Sequence, residues 1–269
     1  MIIIETSQQK VISLKKLTMN YGGNRVLTGV DLDVYQGQII GYIGPNGAGK
    51  STTVKIMLGL VDGYRGSVEI FDQDIANGDQ AYKQRIGYVP EGGDLYDNLT
   101  ACEYLTFTGR LYGLNEQEAE YKASRLIEKF GLEDVFHTRI SAYSKGMKQK
   151  VLIIASLLHD PDIIFLDEPL NGLDANSVMI IKEILSQLAE EGKTIFYSSH
   201  IMDVVEKISN RIILLADGKV IADGSFEDLR QKNKEGTLEE IFNQLTGFNQ
   251  HKQIADDIVS IVKEVEGDA

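Results

Sequence analysis

GPNGAGKS, residues 44–51, decides how the rest of the chain is read. It fits the pattern G-x-x-x-x-G-K-[ST]. QIIGYI (38–43) before it has strand character, and TTVKIMLGLV (52–61) after it carries apolar residues at helical spacing. A glycine-rich turn between a strand and a helix converges its backbone N–H groups on the helix's positive end. Gly44, Asn46, Gly47, Ala48 and Gly49 are therefore expected to nest the phosphates of a nucleotide. Lys50 is placed to pair with the β- and γ-phosphates, the Ser51 hydroxyl to bind Mg²⁺, and Thr52 to help hold the α-phosphate.

Working outward, VISLKKLTM (11–19), VLTGVDLDVY (26–35), SVEIFDQDI (67–75) and RIGYVP (85–90) read as strands. Residues 100–158 carry helical patterns almost throughout, with breaks expected at Gly109, Gly113, Gly131 and around SAYSKG. Strands return as DIIFLDEP (162–169), TIFYSSH (194–200) and RIILLADGKVIADG (211–224), with a helix at 175–190 between the first two. Asp217-Gly218 between two apolar runs signals a two-residue hairpin. Alternation of strands and helices points to an α/β fold with a parallel sheet, interrupted by an inserted helical block. The tail from about 226 is charged and helical in pattern, without a chemical motif.

An apolar strand buried in a parallel sheet ends at the carboxyl edge, where ligands bind in open α/β folds. DIIFLDEP then places Asp167 to hold Mg²⁺ and Glu168 to polarise an attacking water. His200, at the end of TIFYSSH, is placed to reach a γ-phosphate and orient that water.

Composition narrows the partners. Forty acidic against 27 basic residues give the 269-residue chain a net charge of −13, which disfavours nucleic acid and anionic lipid surfaces. The single cysteine, Cys102, excludes an intramolecular disulfide and a cysteine-ligated zinc site, and reads as buried filler in a reducing compartment. MIIIETSQQK (1–10) has no basic n-region or sustained apolar stretch of a signal peptide, and no apolar run approaches the ~20 residues that span a bilayer.

The order GPNGAGKS, YSKGMKQK (143–150), FLDEP (165–169), NGLD (171–174) and SSH (198–200) resembles the ATP-binding subunit of ATP-binding cassette (ABC) transporters, over roughly residues 11–225. The resemblance implies a P-loop NTPase core with an N-terminal antiparallel β region and an inserted helical subdomain. Residues 1–90 and 160–225 would form the RecA-like core, 91–159 the helical subdomain and 226–269 a C-terminal helical extension. It implies ATP and Mg²⁺ as cofactors and an ATPase that dimerises on ATP with a second such subunit, a copy or a paralogue. Partner permeases would span the membrane, with this subunit cytoplasmic and peripheral beneath them.

YSKGMKQK occupies the place of the family signature, usually LSGGQ. Ser144 and Gly146 are then implied to cap the ATP held by the partner's phosphate loop. Tyr21, in YGGNRVL, matches the aromatic that stacks on adenine, and Asp174 the aspartate of the D-loop; Asp174 also reads as a helix N-cap. Two departures stand out. Tyr143, Lys145 and Met147 replace the usual leucine, glycine and glutamine of the signature. In GYVPEGGDLYDNLT (87–100), Glu91 replaces the usual glutamine and can still bind the metal; that substitution, with the LY..LT stretch after it, resembles the drug, peptide and sodium exporter branch. A soluble ABC ATPase acting on ribosomes or DNA is the main alternative; two cassettes in one chain, long coiled coils and basic patches, which would mark it, are missing. A metabolic P-loop kinase or GTPase would leave YSKGMKQK unexplained.

Overall fold

The computed structural model describes residues 9–233, 236–247 and 251–263. The first eight residues, on which most of the signal-peptide reading rests, lie outside them, as do the last six of the helical extension. The strands are β1 (Lys10–Tyr21), β2 (Asn24–Tyr35), β3 (Ile39–Ile43), β4 (Arg65–Ile70), β5 (Gln73–Asp74), β6 (Ile86–Val89), β7 (Ile163–Asp167), β8 (Thr194–Ser198), β9 (Arg211–Ala216) and β10 (Lys219–Gly224). The α-helices are α1 (Lys50–Met57), α2 (Ala101–Leu111), α3 (Glu116–Lys129), α4 (Lys145–Leu157), α5 (Ala175–Glu190), α6 (Met202–Ile208), α7 (Phe226–Asn233), α8 (Leu238–Thr246) and α9 (His251–Lys263).

Two sheets organise the chain. A four-stranded antiparallel sheet has the order β2-β1-β4-β5. A six-stranded sheet has the order β10-β9-β3-β8-β7-β6, parallel throughout except for the edge strand β10. The central strands are apolar on both faces, which is why they read as continuous runs rather than alternating ones. Ile164 and Leu166 of β7, with Ile195 and Tyr197 of β8, join the core shared with α2–α8. Ile163 and Phe165, with Phe196, turn to the opposite face and pack with α1 and the antiparallel sheet. α2, α3 and α4 lie in the chain between β6 and β7.

The structure corrects three local readings. SVEIFDQDI is a hairpin, turning through Phe71 and Asp72 at φ 52° and 62° into the two-residue β5. Gly109 lies inside α2 rather than at its end: a Cβ there would come within 2.8 Å of Ala119 Cβ and 3.0 Å of Leu158 Cδ2, so the missing side chain lets three helices close up. Cys102 is half-buried, its thiol 4.0 Å from Glu120 Oε1, not core filler. Behind the signature segment Val151, Ile154, Ala155 and Leu158 are buried in one core, with Met147 only partly covered. Asp217 and Gly218, at φ 48° and 71°, make the expected β9–β10 hairpin.

The helical block meets the sheet at His159, just past α4. Its ring stacks on Tyr112 with centroids 3.6 Å apart, and Nε2 lies 3.0 Å from the Ile86 carbonyl, to which it donates as Nε2–H. Nδ1 is buried without a partner among the described residues. Burial pushes the His159 pKa down, outweighing the Ile86 hydrogen bond and Asp160, which pull it up. The native state therefore binds fewer protons than the unfolded chain. The stability this gives is present above the unfolded value of about 6.5 and is lost as pH falls below it. Urea melts from pH 7.5 to 5 should show a falling midpoint, and His159→Phe, which keeps the stack, should flatten that dependence; equal slopes would contradict it.

Candidate active site

Strands β3, β8 and β7 lie side by side and parallel, so their carboxyl ends open on one edge. Asp167 and Ser198, the last residues of β7 and β8, are register partners. The loops leaving the three strands, with β2 and the loop after β6, surround a cavity of ≈ 640 Å³ lined by Gly44, Asn46, Gly47, Ala48, Gly49, Lys50, Ser51, Thr52, Glu91, Asp167, Glu168 and His200, together with Val26 and Ser198. Residues far apart in sequence are thus brought together: the phosphate loop, the strand-end carboxylates, Glu91 and His200.

The phosphate loop is fixed from beneath. Gly49 sits at φ 104°, and a Cβ there would fall 2.5 Å from Leu27 Cδ2, so the loop and β2 close only around glycine. Thr53 donates both its N–H and its hydroxyl to the Gly49 carbonyl at 2.9 Å. The fully buried Tyr42 hydroxyl donates in turn to Thr53 Oγ1 at 3.2 Å, linking loop, helix and strand. Lys50 folds over the loop, its Nζ donating to the carbonyls of Gly44 (2.6 Å) and Pro45 (3.2 Å). Burial pushes its pKa below the ordinary lysine value, against the pull of Asp167, Glu168 and Glu91.

Asp167 is only 8% exposed and, among the described residues, its side chain accepts one hydrogen bond, from Ser198 Oγ at 2.9 Å. Burial holds its pKa above the usual carboxylate range, and neighbouring Glu168 adds to this while Lys50 opposes it. A desolvated carboxylate with a single neutral donor is suited to a cation. Among the described residues no three His, Cys, Asp or Glu side chains gather to bind a metal. A divalent ion here must draw on other oxygens, and the Ser51 hydroxyl and nucleotide phosphates suit Mg²⁺, which keeps few protein ligands.

Glu168 lies at φ 50°, and its carboxylate is engaged on both oxygens. Oε2 accepts from Ser199 Oγ at 2.9 Å; Oε1 accepts from the His200 backbone N–H at 2.8 Å and from Nδ1 at 2.7 Å. In the sequence Glu168 and His200 stand 32 residues apart. The structure makes them one unit, with the carboxylate holding the proton on Nδ1 and leaving Nε2 as the acceptor of the neutral ring. The histidine side chain remains 74% exposed while the glutamate is 10% exposed.

Four residues stand apart from the cavity. Tyr21 is 44% exposed at the end of β1; the residue of that hairpin that lines the cavity is Val26. Ser144 N-caps α4, accepting the Met147 N–H at 3.3 Å, and Asp174 N-caps α5, accepting the Ser177 N–H at 3.0 Å and its hydroxyl. A Cβ on Gly146 would lie 2.6 Å from the Gly172 carbonyl, so the signature and NGLD segments pack on each other within the chain. Tyr143 is buried with its hydroxyl donating to the Val135 carbonyl at 2.6 Å, which accounts for a tyrosine there. Ser198 is signalled in the sequence only by its place as the polar end of an apolar strand, and Val26 carries no such signal.

The family described as ABC transporter matches residues 27–171. The ABC transporter ATP-binding protein NatA of Bacillus subtilis is 41% identical over 215 residues, covering 79% of this chain and 87% of that protein. A solved structure described as the ATP binding subunit of an ABC transporter superposes with a TM-score of 0.82 at 34% identity, covering 88% of this chain and 99% of the other. A dimeric cassette described as a post-hydrolysis state bound to ADP and Pi gives a TM-score of 0.73 at 27% identity, covering 80% and 98%. With the phosphate loop, the strand-end carboxylates and the histidine gathered at one sheet edge, the chain belongs to the ABC transporter family, as an ATP-binding subunit that hydrolyses ATP to drive transport.

Proposed function

We propose that two such subunits, two copies or a copy and a paralogue, pair head to tail on ATP beneath separate membrane permeases, and that the cargo moves outward. The observation that carries the catalytic part is the Glu168–His200 unit, which faces Lys50 and Asp167 across one ≈ 640 Å³ cavity. In this reading Gly44, Asn46, Gly47, Ala48 and Gly49 cradle the phosphates, Thr52 holds the α-phosphate and Lys50 exchanges its loop carbonyls for the β- and γ-phosphates. Ser51, Asp167 and Glu91 would hold Mg²⁺, which supplies charge neutralisation on the phosphoryl oxygens when bound. Glu168 accepts a proton from the attacking water, and His200, held by Glu168, orients that water against the γ-phosphate. Tyr21 stacks on the base as it arrives, Val26 forming the neighbouring wall.

Ser144, exposed at the start of α4, and Gly146, half-buried in its first turn, lie outside their own chain's cavity, which supports their acting on the partner's ATP, with Asp174 relating the two sites. The permease contact is assigned to an open groove of ≈ 720 Å³ lined by Leu95, Tyr96, Leu99 and Phe107, between the Glu91 loop and α2. Among the described residues no helix is long and apolar enough to cross a membrane, so the membrane path is given to the permeases and a cytoplasmic place to this subunit. Outward transport rests on Glu91 in the GYVPEGGDLYDNLT segment. The division into core (1–90, 160–225), helical subdomain (91–159) and C-terminal extension (226–269) is likewise a proposal, supported by α2–α4 being inserted between β6 and β7. The net charge of −13 speaks against a nucleic-acid partner.

Glu168→Gln should bind ATP normally and lose hydrolysis by about a hundredfold or more, accumulating as an ATP-bound dimer in sedimentation experiments. Unchanged steady-state turnover would remove Glu168 from the role of base. Ser144→Arg should leave ATP affinity of the isolated subunit within about twofold yet abolish hydrolysis by the permease complex. Equal loss of binding by the single chain would place Ser144 in its own site instead.

A further inference from the structure

The C-terminal extension carries no motif, yet α8 comes to the edge of the nucleotide cavity. Leu238 and Ile241 are fully buried in the main core, and the Leu238 N–H donates to Glu206 Oε2 of α6 at 3.2 Å. A Thr237–Glu240 capping box fixes the helix start. On its other flank Glu239, Phe242 and Asn243 wall a cleft of ≈ 550 Å³, whose opposite side is the phosphate loop and the His200–Asp203 turn. Gly44, Asn46 and His200 line both this cleft and the nucleotide cavity, so the two openings adjoin. The cleft holds two exposed carboxylates, Asp203 and Glu239, neither making an ion pair or side-chain hydrogen bond with a described residue.

The signature turn offers the complementary charge. Of its three lysines, Lys148 pairs with Asp97 at 2.7 Å and Lys150 donates to the Phe130 carbonyl at 3.1 Å. Lys145 has no such partner among the described residues. Its stem lies along the NGLD segment: a Cβ on Gly172 would meet its Cγ at 3.1 Å and its Cδ at 3.2 Å. It is also the first residue of α4, where a cation opposes the helix dipole, and no acidic residue in the first turn relieves it.

We infer that the cleft between α8 and the phosphate loop receives Lys145 of a second copy of this chain, which pairs there with Glu239 and Asp203 when ATP closes the dimer. The inference rests on the proposal that Ser144 and Gly146 act across the dimer. Lys145 adjoins Ser144, so whatever brings Ser144 to the partner's nucleotide cavity brings Lys145 to the opening that shares Asn46 and His200 with it. The C-terminal extension then contributes a specificity contact: it favours a partner whose signature carries a lysine where glycine is usual.

The test uses the full chain carrying Glu168→Gln, with ATP-dependent dimerisation read by sedimentation. Adding Lys145→Glu or Glu239→Lys should each weaken the dimer by about tenfold, while the two reversals together restore most of it, and the coupling should shrink in high salt. ATP affinity of the single chain, unchanged in all variants, shows that folding is intact. Two single reversals without effect, or no rescue by the double reversal, would overturn the contact. The dimer lost on adding Ser144→Arg in that same case would leave the cross-dimer reading standing. A Glu168→Gln chain that stays monomeric in ATP would overturn the pairing of two copies, and with it the contact.

Discussion

The cavity at the sheet edge depends on three strands, β3, β7 and β8, that are apolar on both faces and must therefore lie inside a sheet covered on both sides. Their interior cannot carry a charge, so the first polar residues fall where the strands end. Because the strands are parallel and in register, those ends coincide in space. The phosphate loop follows β3, the carboxylates close β7 and the serine–histidine turn closes β8. A cavity lined by residues drawn from 44–52, 167–168 and 198–200 is the direct result of burying hydrocarbon on two faces at once.

At that edge the charges are coupled rather than merely near one another. Asp167 is desolvated with one neutral donor, while Glu168 takes three donors from the next strand's loop. Two adjacent carboxylates therefore play different parts. Asp167 remains short of partners and suits a cation, whereas Glu168 is tied to an imidazole and governs which ring nitrogen carries the proton. The positive φ of Glu168 is what turns the chain so that consecutive side chains serve different neighbours.

The signature segment shows how a departure from a family pattern can be read physically. Tyr143 is accounted for by burial and a carbonyl acceptor, and Gly146 by the Gly172 carbonyl that leaves no room for a side chain. Both reasons lie within the chain and hold whether or not a second subunit is present. Lys145 has no reason of that kind, and that contrast directs attention to a surface beyond the chain.

The sequence by itself determined a good deal: the phosphate loop with its flanking strand and helix, the carboxylate-ended strand, the helix at 175–190 with Asp174 as its cap, and the Asp217-Gly218 hairpin. These are local features, set by periodicity, capping chemistry and turn geometry within a few residues. Gly109 misled because a glycine inside a helix looks like a break until its neighbours Ala119 and Leu158 are known to press against it. The tertiary structure alone decided that Val26 and Ser198 join the cavity, that Glu168 and His200 act as one unit, and that α8 reaches the phosphate loop. Each of these depends on contacts between segments tens to hundreds of residues apart, whose distances are fixed by sheet order and core packing and leave no periodic trace in either segment.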